Sequence, residues 1–420
     1  MKRLLESWKY PAFLLGAIGI STMGEWIYFI SLNLIVLKET GSALAVSILY
    51  ILKPLAALFT NVWSGSLIDR LHQRNLMIAL DCIRAVCIAV IPLLLSIWPV
   101  YSIYFIVFFI NMANSMFRPA SMAYITKLIP PDHRKRFNSL RALLDSGGFL
   151  LGPSIAGMLF LIGTPIFAIY INAFALLISG VITSFMPKLE KRAEITEKLS
   201  VNLLRKDWNV VIRFSRKNSY IMCIYFLFTC VLTVMMTAID SLEAAFCKEI
   251  LQLSDTDYGF FVSVAGAGII IGAFVNSVFV KKLPTSLLMG LGSLFVSAGY
   301  IIYAFSNFFL MAACGFFVLA FFLAFANTGF MTFYQKNIPV EVMGRVGSIY
   351  ALSEAALIII ATLCFGIGAQ FISIQYVVIL GAVIMFLFSI ILCIFLFQPK
   401  RVGTHETYIL KEKKAADNVN

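Results

Sequence analysis

Apolar runs of at least about 20 residues, broken by short polar turns, follow one another along almost the whole chain. Twelve are legible, at approximately 11–37, 43–67, 76–97, 100–125, 140–162, 165–186, 220–240, 257–280, 285–305, 308–334, 346–370 and 373–398. A run of that length is what an α-helix needs to cross the hydrocarbon of a bilayer. Backbone groups inside lipid can bond only to one another, so such runs become helices. The expected fold is an all-α integral membrane protein with twelve transmembrane helices. Composition agrees, because 60% of the 420 residues are apolar and only 13% are charged. That balance excludes a soluble enzyme, a disordered chain and a nucleic-acid-binding domain.

The basic residues assign the orientation. Of 33 Lys and Arg, 28 fall in residues 1–10, in alternate loops, in the stretch 187–219 or in the tail. The intervening loops hold only Lys38 and Lys248, and Lys53, Arg84 and Arg118 fall within spans. Lys and Arg accumulate on the cytoplasmic side, so both termini are expected there, in the cytoplasmic membrane of a bacterium. The run after the basic start lacks a small-residue cleavage site, which reads as an uncleaved first helix. Seven of the eight cysteines lie in apolar runs and none forms a CxxC, so neither a disulfide framework nor a metal site is expected. The three histidines, His72, His133 and His405, fall in loops or the tail.

The chain matches itself at an offset of 209 residues. Lys127-Leu128-Ile129-Pro130-Pro131-Asp132 aligns with Lys336-Asn337-Ile338-Pro339-Val340-Glu341. Downstream, Arg136 aligns with Arg345, Ser139 with Ser348, Ala142 with Ala351, Asp145 with Glu354 and Gly157 with Gly366. The expected organisation is two pseudo-symmetric six-helix bundles. Residues 1–187 form the first, 188–219 a basic cytoplasmic linker, 220–398 the second and 399–420 a cytoplasmic tail. Two like bundles suggest rocking about a central site.

The loop between the second and third spans reads Gly65-Ser66-Leu67-Ile68-Asp69-Arg70-Leu71-His72-Gln73-Arg74. It resembles the loop signature of the major facilitator superfamily, with His72 in place of its second Gly. In the fifth span, Gly148, Gly152, Pro153 and Gly157 resemble the Gly-Pro motif of exporters in that superfamily. The Arg usual within the fourth span is absent from its place, and Arg118 lies nearer the cytoplasmic end. Gly24-Glu25-Trp26 and the stretch from Asp69 to Arg84 look most like the bacterial macrolide-efflux and siderophore-exporter branch. The resemblance implies the twelve-helix fold and a cytoplasmic gate in which Asp69 and its basic neighbours lock the bundles together. Asp69, Arg70, Arg74, Asp81, Arg84, Arg118, Asp145, Arg345 and Glu354 all fall near cytoplasmic helix ends and are the gate candidates.

Glu25 is the foremost candidate for coupling. It lies about 21 Å into the first span, at about 1.5 Å per residue. An ionisable side chain at that depth usually faces a bundle interior or an aqueous cavity. It fits a proton-coupling site or a counter-charge for a cationic substrate. Lys53, at similar depth in the second span, offers a fixed ion pair instead, and a Lys there also suits an anionic substrate.

No HExxH and no GxxxxGK[ST] appears, so hydrolysis and ATP drive lack their motifs. The reading is a secondary active transporter, not an enzyme, with no cofactor, no metal and a proton gradient as drive. It acts as a monomer in the lipid bilayer on a small-molecule substrate, with no nucleic-acid partner. Export of amphipathic compounds such as macrolides by proton antiport leads. Export of an anionic metabolite such as a siderophore, through Lys53 or Arg118, is second. An importer follows, and a membrane receptor is the non-transport alternative.

Overall fold

A computed structural model describes residues 8–189, 201–279 and 282–398. The expected tail, 399–420, and residues 190–200 of the expected linker lie outside the described residues, as do the side chains of Asp69 and Arg70. All regular elements among the described residues are helical. The first six long helices are α1 (Lys9–Thr40), α2 (Ala43–Arg70), α3 (Gln73–Ile97), α4 (Ile103–Leu128), α5 (Pro131–Ile162) and α6 (Pro165–Ser184). Then come α7 (Val201–Lys217), α8 (Ser219–Thr229), a π-helical segment Cys230–Met235, α9 (Met236–Asp240) and α10 (Glu243–Glu249). The chain closes with α11 (Asp255–Phe279), α12 (Thr285–Ala304), α13 (Phe309–Asn337), α14 (Val340–Phe371) and α15 (Ile374–Leu396). Among the described residues twelve segments are long and apolar enough to cross a membrane, with α8, the π segment and α9 forming one of them.

Local chemistry sets the ends. α1 stops where Gly41 turns left-handed (φ 59°) and its N–H bonds the Leu37 carbonyl, a conformation glycine adopts without strain. α5 starts with Pro131 in its first turn, where a missing N–H is no loss. That start lies nine residues before the apolar run, so the basic stretch expected as a loop is the polar first turns of a helix. α14 begins directly after Pro339, as α5 begins directly after Pro130.

The packing repeats. α1 packs on α5 and α6, α2 on α4, and α3 on α4 and α6. The broken α8–α9 span packs on α14 and α15, α11 on α13, and α12 on α13 and α15. The two sets of six meet through α5 on α11 and α14 on α2. Outward faces expose large apolar side chains such as Phe174, Phe274 and Phe371, as a lipid-facing surface does.

Both crossings depend on missing side chains. A Cβ on Gly157 would stand 2.8 Å from the Thr256 carbonyl oxygen, and one on Gly259 would stand 2.7 Å from the Gly157 Cα. A Cβ on Gly366 would stand 3.0 Å from the Ser47 Cβ. Gly157 and Gly366 are 209 residues apart, as are Ser47 and Thr256. The internal repeat is therefore a structural equivalence: each copy lays a glycine of its fifth span on the second span of the other.

Overpacking such a contact costs about 1–3 kcal/mol. Gly157→Val is expected to lower the thermal unfolding midpoint of the detergent-purified protein. Gly147→Val, at a position with nothing within 4 Å of the added Cβ, should leave it nearly unchanged.

Candidate functional site

Glu25 lies 16 residues from the start of α1, about 24 Å along the helix. Its side chain is exposed, and its Oε1 accepts a hydrogen bond of 3.2 Å from Asn114 Nδ2 on α4. The Asn114 Oδ1 in turn accepts from the Arg84 guanidinium on α3. Arg84 also donates to Asp81, one turn earlier on the same helix, and forms a buried ion pair with it. Asp81 accepts a further bond of 3.0 Å from the Ser179 hydroxyl on α6. The Phe117 ring lies under Arg84 at 4.5 Å. One polar chain thus runs from an exposed carboxylate to a fully buried one, through α1, α4, α3 and α6.

The buried end is neutralised internally. Asp81 and Arg84 are 0% and 4% exposed, so neither charge would survive there alone. The exposed end differs. A carboxylate open to hydrocarbon is strongly disfavoured, so an exposed Glu25 at this depth calls for an aqueous surrounding. Aromatic rings lie beside it. Trp26 sits 4.5 Å from Phe149 and 5.9 Å from Phe29, and Phe29 sits 5.3 Å from Tyr50. A carboxylate bordered by half-buried rings suits a ligand that carries both charge and apolar bulk.

The structure gives Glu25 a partner other than Lys53. Lys53 is exposed on α2 and makes no ion pair among the described residues. Asp81 and Arg84 do not sit at a helix end between the bundles. Arg84 is 11 residues into α3, about 17 Å, and both residues are tied within the first six helices. Arg74 Nε donates to the Thr183 carbonyl at 3.4 Å, and its terminal nitrogen to that of Ser184, which ties it to the end of α6. Arg118 and Asp145 are exposed and both act electrostatically on Arg141. Arg345 is exposed on α14, and Glu354, two turns further on, acts on Tyr225 of α8. Of the Gly-Pro motif, Gly148 and Gly152 face Thr22 and Trp26 of α1, whereas the Pro153 carbonyl and Gly157 meet Gly259 of α11.

The side-chain links that join the two sets of helices, among the described residues, cluster at the other face. That face holds the end of α1 and the starts of α2 and α11. Lys38 forms an ion pair with Asp255, and Lys248 approaches the same carboxylate at 2.7 Å. Ser47 and Ser241 hydroxyls lie 3.1 Å apart, Ser154 donates to Ser263 at 2.7 Å, and Gln370 donates to Ser42 at 3.2 Å. In the sequence Lys38 and Lys248 stand out only as exceptions to the charge bias. Their isolation on a face otherwise free of Lys and Arg was the available signal. Asn114 was missed, although an amide at mid-depth in an apolar run is itself unusual.

The sequence profile described as Major Facilitator Superfamily matches residues 14–362. The uncharacterized MFS-type transporter YfiS of Bacillus subtilis (strain 168) is 24% identical over 376 residues, covering 85% of this chain and 86% of that one. Macrolide efflux protein A of Streptococcus pyogenes is 21% identical over 370 residues, covering 85% and 90%. The crystal structure of the nucleoside transporter NupG superposes with a TM-score of 0.72 at 13% identity, covering 93% of this chain and 100% of that one.

Removing one partner of a buried ion pair costs about 3–5 kcal/mol. Asp81→Ala is expected to lower the unfolding midpoint sharply, because Arg84 is left buried and uncompensated. Asp145→Ala, on an exposed side chain, should change stability by less than about 0.5 kcal/mol.

Proposed function

The chain belongs to the major facilitator superfamily, and from that premise we propose that it exports amphipathic small molecules by proton antiport with alternating access. Members of this superfamily are multi-pass membrane transporters of small molecules, not enzymes. The observation that carries the finer reading is Glu25, an exposed carboxylate deep along α1 that accepts from Asn114, itself held by Arg84, next to Trp26, whose ring packs on Phe149 and Phe29. The likeness to macrolide efflux protein A supports macrolide-like compounds as the substrate class.

In this reading residues 1–187 and 220–398 are the two rocking bodies and 188–219 links them. The basic face is cytoplasmic, and the membrane is the bacterial cytoplasmic membrane. Lys38, Asp255 and Lys248 close the external side, so the cleft at Glu25 opens to the cytoplasm. Substrate and proton compete for the Glu25 carboxylate. Asn114 holds it in place, and the Arg84–Asp81 pair fixes Asn114. Asp69, Arg70, Arg345 and Glu354 close the cytoplasmic side in the opposite state. Lys53, exposed and without an ion pair among the described residues, favours a second reading, export of an anionic metabolite such as a siderophore.

The test is transport of a radiolabelled macrolide in vesicles with an imposed pH gradient. Glu25→Gln is expected to reduce gradient-driven movement to the level of protein-free vesicles, and Lys53→Ala to spare it. Gradient-driven transport intact in Glu25→Gln would remove Glu25 from coupling, and macrolide movement indifferent to the gradient would reject antiport. Asp255→Asn is expected to open the external side, measured as faster reaction of Ser241→Cys with an impermeant thiol reagent than in the parent carrying Asp255.

A further inference from the structure

A second pair of carboxyl groups lies in the other set of helices, away from Glu25. α9 ends at Asp240, and α10 begins three residues later at Glu243. Glu243 is only 8% exposed. Asp240 Oδ1 accepts a hydrogen bond of 2.7 Å from the Tyr300 hydroxyl on α12. The Tyr258 hydroxyl on α11, on a residue 0% exposed, lies within reach of the Glu243 carboxyl. Each carboxyl thus has a tyrosine hydroxyl as its neighbour, and neither forms an ion pair among the described residues.

The groups around this pair do not neutralise it. α2 contributes Tyr50, α12 contributes Tyr300 and Tyr303, α11 contributes Tyr258, and α10 contributes Cys247. α1 brings Asn33, which is neutral and fully buried. Lys248 is turned to Asp255 and to the Leu253 carbonyl, and Lys38 is turned to Asp255 as well. Glu249, at the far end of α10, adds no positive charge. Arg345 and Glu354 stand on the basic half of α14, and α15 contains no Asp, Glu, Lys or Arg. Burial pushes the Glu243 carboxyl well above its usual range, and Asp240 beside it adds to the rise. Lys53, one turn beyond Tyr50 on α2, is exposed and makes no ion pair among the described residues. A buried carboxyl with a second carboxyl beside it and no paired cation favours its protonated form.

The position of the pair joins it to the closure between the two sets of helices. Ser241, between the two acids in sequence, places its hydroxyl 3.1 Å from that of Ser47 on α2. Tyr50, one turn further along α2, senses both carboxyls. Parting α2 from this turn would admit water to Asp240 and Glu243.

We propose that Asp240 and Glu243 form a proton-binding site that holds a shared proton while the face bearing Lys38 and Asp255 is closed, and releases it when that face opens. The release step rests on the alternating-access reading above, whereas proton occupancy of the closed state does not. No bond other than O–H is made or broken. One carboxyl takes up a proton, and on opening the proton passes to water.

The test is infrared spectroscopy of the full-length protein in lipid vesicles, following the C=O band of protonated carboxyl groups against pH in a sodium-free buffer. A band present at neutral pH is expected in the unaltered protein. It should fall in Glu243→Gln and in Asp240→Asn and persist in Glu25→Gln, so this outcome is independent of transport through Glu25. Tyr300→Phe keeps both carboxyls and should shift the band to higher frequency, which tests Asp240 even if an amide variant fails to fold. Gly157→Val, which wedges the two sets apart without changing charge, should move the loss of the band to lower pH. A band absent at neutral pH, or unchanged in both amide variants, would overturn the proton site. A band abolished by sodium chloride would reassign the site to a metal cation. A midpoint unmoved by Gly157→Val would overturn its link to the closure.

Discussion

Two backbone-to-backbone crossings hold the halves of this protein together, α5 on α11 and α14 on α2. Lipid offers helices little hydrophobic reason to associate, because its chains are as apolar as Leu. Association rests on close packing and on hydrogen bonds that water would otherwise take. Gly157, Gly259 and Gly366 allow that packing; the Ser154–Ser263 bond lies along the first contact and the Gln370–Ser42 bond at the end of the second. Everything proposed about opening and closing presupposes that these crossings are tight yet not greased by long side chains.

The two halves share a plan and differ in charge. In the first, the buried Asp81 is matched by Arg84, and the pair serves as a rigid anchor for Asn114. In the second, Asp240 and Glu243 have tyrosine hydroxyls for neighbours where the first half has a guanidinium. A matched pair is a fixed structural element, because neither member can change charge without stranding the other. An unmatched pair can change its proton count as its surroundings change. The asymmetry distinguishes two halves that otherwise share one plan.

Much of the architecture is legible in the sequence, since lipid imposes one simple demand on every span. The twelve runs, the charge bias and the 209-residue offset each follow from that demand or from duplication. The equivalence of Gly157 and Gly366 emerges at the level of single contacts. What the sequence conceals are pairings across space. Lys38 and Asp255 are 217 residues apart, and nothing local in either stretch names the other. Glu25 was assigned Lys53 as its possible partner from shared depth alone, but depth does not say which way a side chain faces. Asn114 escaped because a neutral amide carries no charge to flag it. Asp240 and Glu243 carry no such flag either, because orientation is read from Lys and Arg and acids contribute little to it.

The π-helical stretch Cys230–Met235 lies just before Asp240 and interrupts the α-helix of its span. A wide turn stores one residue more than an α-turn, and helices use such bulges where function demands them. Drawing that residue out into regular helix would twist the segment beyond it by about 100° and advance it by about 1.5 Å. The carboxyl at its tip would then swing like a key in a lock, while the helix below it stayed seated on its neighbours.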